Sequence, residues 1–204
     1  MPNWVTSRVV VKGPKAAVRE FKKDHFNKGS GELGFDFNTV IDLHSHTTME
    51  EVIAAWGTKW NASDTQILES PPGSLDFTFM TPWSSPYPIY DRLSELWPSL
   101  DFHVEAIEEG FEFAMIGDWH NGKGIHGEMF VTPEIIQFVY RRTPTERDLQ
   151  SIKKVAKYHE KQAQEWAESQ GMSTAGVLAL WGVGIAGIGF VAYKARNRAT
   201  PLFP

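Results

Sequence analysis

The chain has 204 residues, a formal net charge of -5, 42% apolar residues and no cysteine. That apolar content excludes wholesale disorder, and the lack of cysteine excludes a disulfide scaffold, a thiolate zinc site and a cysteine nucleophile. Residues 32–118 hold 16 acids against only Lys59 and Arg92, a stretch that repels phosphate and argues against nucleic acid as a partner.

Trp4 to Val11 alternates and is rich in β-branched residues, which predicts a strand. Gly13-Pro14 stops it, and Ala17, Val18, Phe21 and His25/Phe26 then recur at helical spacing. Phe35 to Ile41 is predicted as a second strand or extended edge, and Met49 to Trp56 as a short helix closed by Gly57. Thr65–Glu69 and Leu75–Met80 flank Ser70-Pro71-Pro72-Gly73-Ser74, which is hairpin chemistry. Ile89 to Leu96 is predicted as a helix ended by Pro98. Phe102–Ile107 and Phe111–Trp119 form a second hairpin, followed by the tight-turn pair Asn121-Gly122. Residues 133–142 fit either a strand or a helical turn. Thr143-Pro144-Thr145-Glu146 reads as a capping box that opens a helix running to Ser169 or Gln170. The order β-α-β-(α)-β-β-α-β-β predicts an α+β fold, a mostly antiparallel sheet with helices on one face.

The predicted division is a folded α+β domain over residues 1–142, a connecting helix over 143–171, and a transmembrane anchor with a short basic tail over 172–204. Ala175 to Tyr193 carries no charge. At about 1.5 Å per residue that run spans roughly 28 Å, the thickness of a hydrocarbon core. It holds five glycines, which membrane helices tolerate, and Gly182 and Ala186 form a small-x-x-x-small step suited to self-association. No basic segment followed by an apolar run opens the sequence, so the expected topology is a C-terminal anchor in the bilayer with the folded domain in the cytoplasm.

Candidate chemistry is sparse. His44-Ser45-His46 could place two imidazoles on one side of a strand, but spacing alone supplies no third ligand, and loop histidines meeting water are the simpler reading. Glu105, Glu108, Glu109 and Glu112 gather at the second hairpin, where solvated carboxylates are the ordinary outcome. There is no P-loop, dinucleotide fingerprint or Gly-x-Ser-x-Gly elbow, so no cofactor, no metal and no catalytic residue is assigned. The sharpest cluster is Trp56, Lys59, Trp60 and Asn61, joined by Trp83 and Ser84 from Thr81-Pro82-Trp83-Ser84-Ser85-Pro86. If the hairpin returns Trp83 to Trp56 and Trp60, three indoles would line one depression around a lysine, either a ligand or partner pocket or a corner that locks a loop to the sheet.

Pro2-Asn3-Trp4-Val5, Val9 to Pro14, Phe35-Asp36-Phe37-Asn38, Trp56 to Ala62 and Thr81 to Pro86 occur in this order. This ensemble resembles the YubB-type ferredoxin-like domain family of bacteriophages and conjugative plasmids, over about residues 1–125. The resemblance implies a ferredoxin-like α+β sandwich and a mobile-element accessory protein, and brings no catalytic residues. The expected function is therefore non-enzymatic: an acidic, tryptophan-rich domain, held at the bacterial inner membrane, that binds a host or phage protein. The alternative is a small-ligand or catalytic domain using a Trp/Lys/carboxylate pocket.

Overall fold

A computed structural model describes residues 3–28, 33–43 and 48–169. Strand β1 (Trp4–Lys12) buries Val5, Ser7, Val9 and Val11 on one face, as its alternation dictates. Helix α1 (Lys15–His25) follows Pro14 and buries Val18, Phe21 and His25. Strands β2 (Phe26–Lys28) and β3 (Leu33–Phe35) pair in a small antiparallel ribbon. The strand predicted over Phe35–Ile41 stops at Phe35. The Asp36 carboxylate accepts from the Asn38 backbone N–H at 3.0 Å and winds Phe37–Thr39 into a 3-10 turn, the local competition that short polar side chains offer to a sheet ladder. Helix α2 (Met49–Trp56) opens with a Thr48/Glu51 capping box and ends at Gly57 with φ 78°.

Strands β4 (Ser63–Leu68) and β5 (Ser74–Pro82) form the first hairpin, and α3 (Tyr87–Leu96) crosses to β6 (Asp101–Glu108). Strands β7 (Ala114–His120) and β8 (Lys123–Met129) follow, joined by Asn121 and Gly122 at φ 48° and 73°, the pair of positive φ values that a tight hairpin turn needs. Strand β8 is absent from the expected order because its two glycines weaken the strand signal. The indole of Trp119 explains the first of them and a glycine of β7 opposite: a Cβ added at Gly124 or at Gly117 would overlap that ring. The ambiguous stretch is helix α4 (Pro133–Tyr140), capped by Thr132 with proline in its first turn. Helix α5 runs Glu146–Ser169. Its cap lies two residues later than predicted: the Thr145 hydroxyl accepts from Asp148 N–H at 3.2 Å, and Asp148 Oδ2 accepts from Thr145 N–H at 2.7 Å.

The large sheet has the order β4-β5-β1-β6-β7-β8, every pair antiparallel. Strands β1, β4, β5 and β6, with α1 and α3 in the two crossovers, make a ferredoxin-like split βαβ unit. The β7–β8 hairpin widens it beyond β6. Beneath α1 and α3 lies an aromatic core in which Phe21, Phe35, Phe37, Phe77, Phe79 and Phe102 are buried and meet largely edge to face.

Helices do not keep to one face, as the sequence reading expected. Helix α4 lies on the other side of β1 and β6, where Ile107, Ala114, Ile135, Ile136 and Val139 form a second apolar cluster flanked by Ile152 and Val155 of α5. The even-numbered residues of β1 point there. Arg8 forks onto both carboxylate oxygens of Asp76, at 2.9 and 2.5 Å, and donates to the Phe138 carbonyl at 2.6 Å. Among the described residues no helix is long and apolar enough to cross a membrane. The predicted anchor 175–193, with Gly182 and Ala186, and the His44-Ser45-His46 arm lie outside the described residues.

His25 joins α1, α3 and the 3-10 turn. Its Nε2 accepts from Trp97 Nε1 at 2.7 Å, so Nδ1 carries the proton and donates to Thr39 Oγ1 at 2.8 Å. Thr39 then donates to the Asp36 carbonyl at 2.6 Å. Burial pulls the His25 pKa down to about 4, against a weaker upward pull from Asp24. Between the unfolded value of about 6.5 and about 4 the unfolded chain binds the extra proton, so stability falls as pH falls through that window.

Two outcomes are expected. Urea denaturation should show His25 contributing a loss of up to about 3 kcal/mol from about pH 6.5 to about pH 4, absent in His25→Gln. Gly117→Ala should lower stability by about 1–3 kcal/mol in the same assay, because the Trp119 ring has no room to retreat.

Candidate functional site

Two loops and the start of β1 converge at one end of the sheet. Gly57 turns the chain out of α2, and a Cβ there would press on the Pro88 ring. The loops are then tied by side chains. Ser84 Oγ donates to the Gly57 carbonyl at 2.6 Å, Thr58 Oγ1 to the Pro82 carbonyl at 2.9 Å, and Thr81 Oγ1 to the Ser84 carbonyl at 2.8 Å. Asn61 Oδ1 accepts from the Phe37 and Ala62 backbone N–H groups, both at 2.8 Å, while its Nδ2 donates to Asp36 Oδ1 at 2.7 Å. Burial pushes the Asp36 carboxyl upward, but its bonds from Asn61, Asn27 and Asn38 overrule that and leave its pKa below the ordinary value. The Trp83 N–H donates to the Asn3 carbonyl at 2.8 Å, which fastens the second loop to the entry of β1.

With these polar groups satisfied internally, the indoles between them face outward. Trp60 is 43% and Trp83 48% exposed. Their ring centroids lie 6.0 Å apart, and Trp4 continues the row 6.2 Å beyond Trp60. Lys59 Nζ sits over both outer loop indoles, 5.4 Å from the Trp60 ring and 5.0 Å from the Trp83 ring, within cation–π range. Trp83 has φ 63°, a left-handed conformation that costs a bulky residue on the order of 1–3 kcal/mol. At the far end, Glu109 Oε1 accepts from the Trp4 backbone N–H at 3.1 Å.

The row differs from the depression expected from the sequence. Trp56 is not in it: it is 7% exposed, packs on Phe37 and donates from Nε1 to the Ile41 carbonyl at 2.9 Å. Its place at the end of α2 turns it into the core. Asn61 and Ser84 face backbone groups and brace the loops. Lys59, Trp60 and Trp83 do come together, and Trp4 joins them. The register Trp4↔Pro82 carries that signal, since it sets Trp4 beside Trp83; the sequence gives no such cross-strand pairing. No ion pair to Lys59 is formed among the described residues.

The acidic hairpin is not simply solvated. Glu108 is 2% exposed, and its Oε2 accepts from the Gly110 and Glu112 N–H groups at 3.0 and 3.1 Å, bracing the turn. His103 lies between Glu105, at 3.2 Å, and Asp118, at 2.8 Å, and its pKa is raised by the Glu105 bond first and by Asp118 as well. Among the described residues no group of three or more histidines and carboxylates is placed to hold a metal. A cleft of about 270 Å³ opens between Gln66, Thr78 and Met80 of the β4–β5 hairpin and Val139, Tyr140 and Arg141 at the end of α4.

A family model described as the ferredoxin-like domain in Api92-like protein matches residues 55–128. The chain carries a ferredoxin-like domain. Among solved structures, the crystal structure of a protein api92 from Yersinia pseudotuberculosis is similar at 14% identity and a TM-score of 0.40, over 50% of this chain and 44% of that one. The chain thus matches less than half the length of that relative. A search of curated proteins found no match.

The bracing and exposed residues are expected to separate in denaturant titrations. Asn61→Ala strips partners from two backbone donors and should cost about 2–4 kcal/mol, whereas Trp60→Ala should cost under about 1 kcal/mol.

Proposed function

We propose that this is a non-enzymatic accessory protein of the phage or plasmid type, whose head docks a host or phage protein through Trp4, Lys59, Trp60 and Trp83. Residues 175–193 tether it to the bacterial inner membrane, with the head in the cytoplasm. One observation carries the docking reading: large indoles stand in solvent while the loops beneath them are tied by side-chain bonds to backbone carbonyls, and one indole is held there against backbone strain. Rigid exposed aromatics supply contact area at little ordering cost, which is the chemistry of interface anchors. The family resemblance, with no catalytic residues attached to it, supports an accessory role. The uncharged length of 175–193 and the basic residues beyond it support the tether, and tethering raises the effective concentration of a weak binder. Gly182 and Ala186 would let two such tethers pack.

Fractionation of cells expressing the full chain or residues 1–170 tests the tether. The full chain should stay with the membrane through carbonate washing and the truncation should not; a full chain left in the supernatant overturns it. Crosslinked partner recovery tests the head. It should fall at least about tenfold in a Trp60→Ala/Trp83→Gly variant that keeps the wild-type unfolding curve, and undiminished recovery removes these residues from the interface.

A further inference from the structure

The geometry points to a particular occupant for the Trp4–Trp60–Trp83 row: a proline-rich segment in the polyproline II conformation with a basic residue at the Trp4 end. This rests on the reading of the row as a docking surface. The first argument is spacing. Successive ring centroids are 6.2 and 6.0 Å apart, and polyproline II rises about 3.1 Å per residue, so about two residues span one indole step. With about three residues per turn, residues i and i+3 of such a segment share a face, and the two indole steps together span a little more than one turn.

The second argument is shape. The rings are tilted against each other by 47° and 38°. Tilted rings do not make the level platform on which a sugar chain would stack, whereas the puckered ridge of a proline-rich segment can follow them. The third is hydrogen bonding. The inward-facing indoles have acceptors: Trp56 on Ile41, Trp97 on His25 and Trp119 on Asp91. Trp4, Trp60 and Trp83 have none among the described residues, so the row presents indole N–H donors along its length. A polyproline II backbone makes no internal hydrogen bonds and holds its carbonyls outward, and aromatic-lined grooves read such segments in this way. Both surfaces are stiff before they meet, so little freedom is lost on docking.

Charge gives the row a direction. Glu109 stands at the Trp4 end, and Lys59 lies across Trp60 and Trp83 at the other. The surrounding stretch 32–118 is strongly acidic. A cation on the ligand is therefore drawn to the Trp4 end.

The test is a titration of the full chain, in detergent, with octaproline carrying one flanking arginine, read from the indole N–H resonances. The Trp4, Trp60 and Trp83 signals should shift while Trp56, Trp97 and Trp119 stay. Exchanging the arginine for glutamate should weaken binding several-fold at low salt, and so should Glu109→Gln, which keeps the acceptor for Trp4 and removes the charge. Trp60→Ala/Trp83→Gly should reduce affinity at least about tenfold. No shift at millimolar peptide, equal shifts with an alanine peptide of the same length, or the same shifts from maltohexaose would each overturn the inference. If partner recovery still depends on Trp60 and Trp83 while the peptide fails, only the occupant is wrong. Recovery indifferent to both residues sinks the docking surface itself.

Discussion

Strand β1 is hydrogen-bonded along both edges, to β5 and to β6, and both of its faces are used. That double commitment constrains the rest of the molecule. Val5, Val9 and Val11 must find an apolar layer on one side, and α1 and α3 supply it. Trp4, Thr6 and Arg8 must be accommodated on the other. Arg8 is there matched by Asp76 and by a carbonyl at the end of α4. The pair is largely buried, with side chains 15% and 10% exposed, so its removal by halves would strand a charge; its value lies in fixing where α4 sits as much as in net energy. Thr6 meets Tyr140 at the same helix end, where burial raises the phenol pKa. Trp4 is half-buried and meets the Trp60 ring at the edge of that face.

The loops beside Trp4 divide their residues by task. Asn61, Thr58, Thr81 and Ser84 spend their polar atoms on backbone groups, and a handful of such bonds at about 1 kcal/mol each is enough to hold two short loops in one arrangement. Trp60 and Trp83 contribute little to that bracing and remain accessible. Asp36 links the two tasks at a distance: it winds the 3-10 turn and receives the Asn61 amide, so the core beneath Phe37 and the outer loop are set by one carboxylate.

Helix α5 begins with its own closed unit. Arg142 forks onto Asp148 at 2.5 and 3.0 Å, and Thr145 bonds the same carboxylate through N–H and hydroxyl. Arg142 in particular holds the Asp148 carboxyl far below its usual range. The start of the helix is thus fixed next to the second apolar cluster, where Ile152 and Val155 pack.

The sequence by itself determined the elements whose signals are local. The alternation of β1, the Gly57 stop of α2, the Pro71-Pro72-Gly73 turn and the Asn121-Gly122 turn each depend on residues a few positions apart, and the backbone obeys them. The acidic middle and the uncharged run 175–193 are likewise properties of composition. Tertiary structure alone decided matters that depend on what a side chain faces. It ended the strand at Phe35 because Asp36 found partners in Asn38 and Asn61. It made β8 possible because the Trp119 ring fills the space that the glycines leave. It placed α4 on the second face, turned Trp56 inward and put Trp4 in its stead. A tryptophan in a sequence has no direction; only the register of β1 against β5, set by hydrogen bonds between residues some 78 positions apart at Trp4↔Pro82, decides which indoles share a surface.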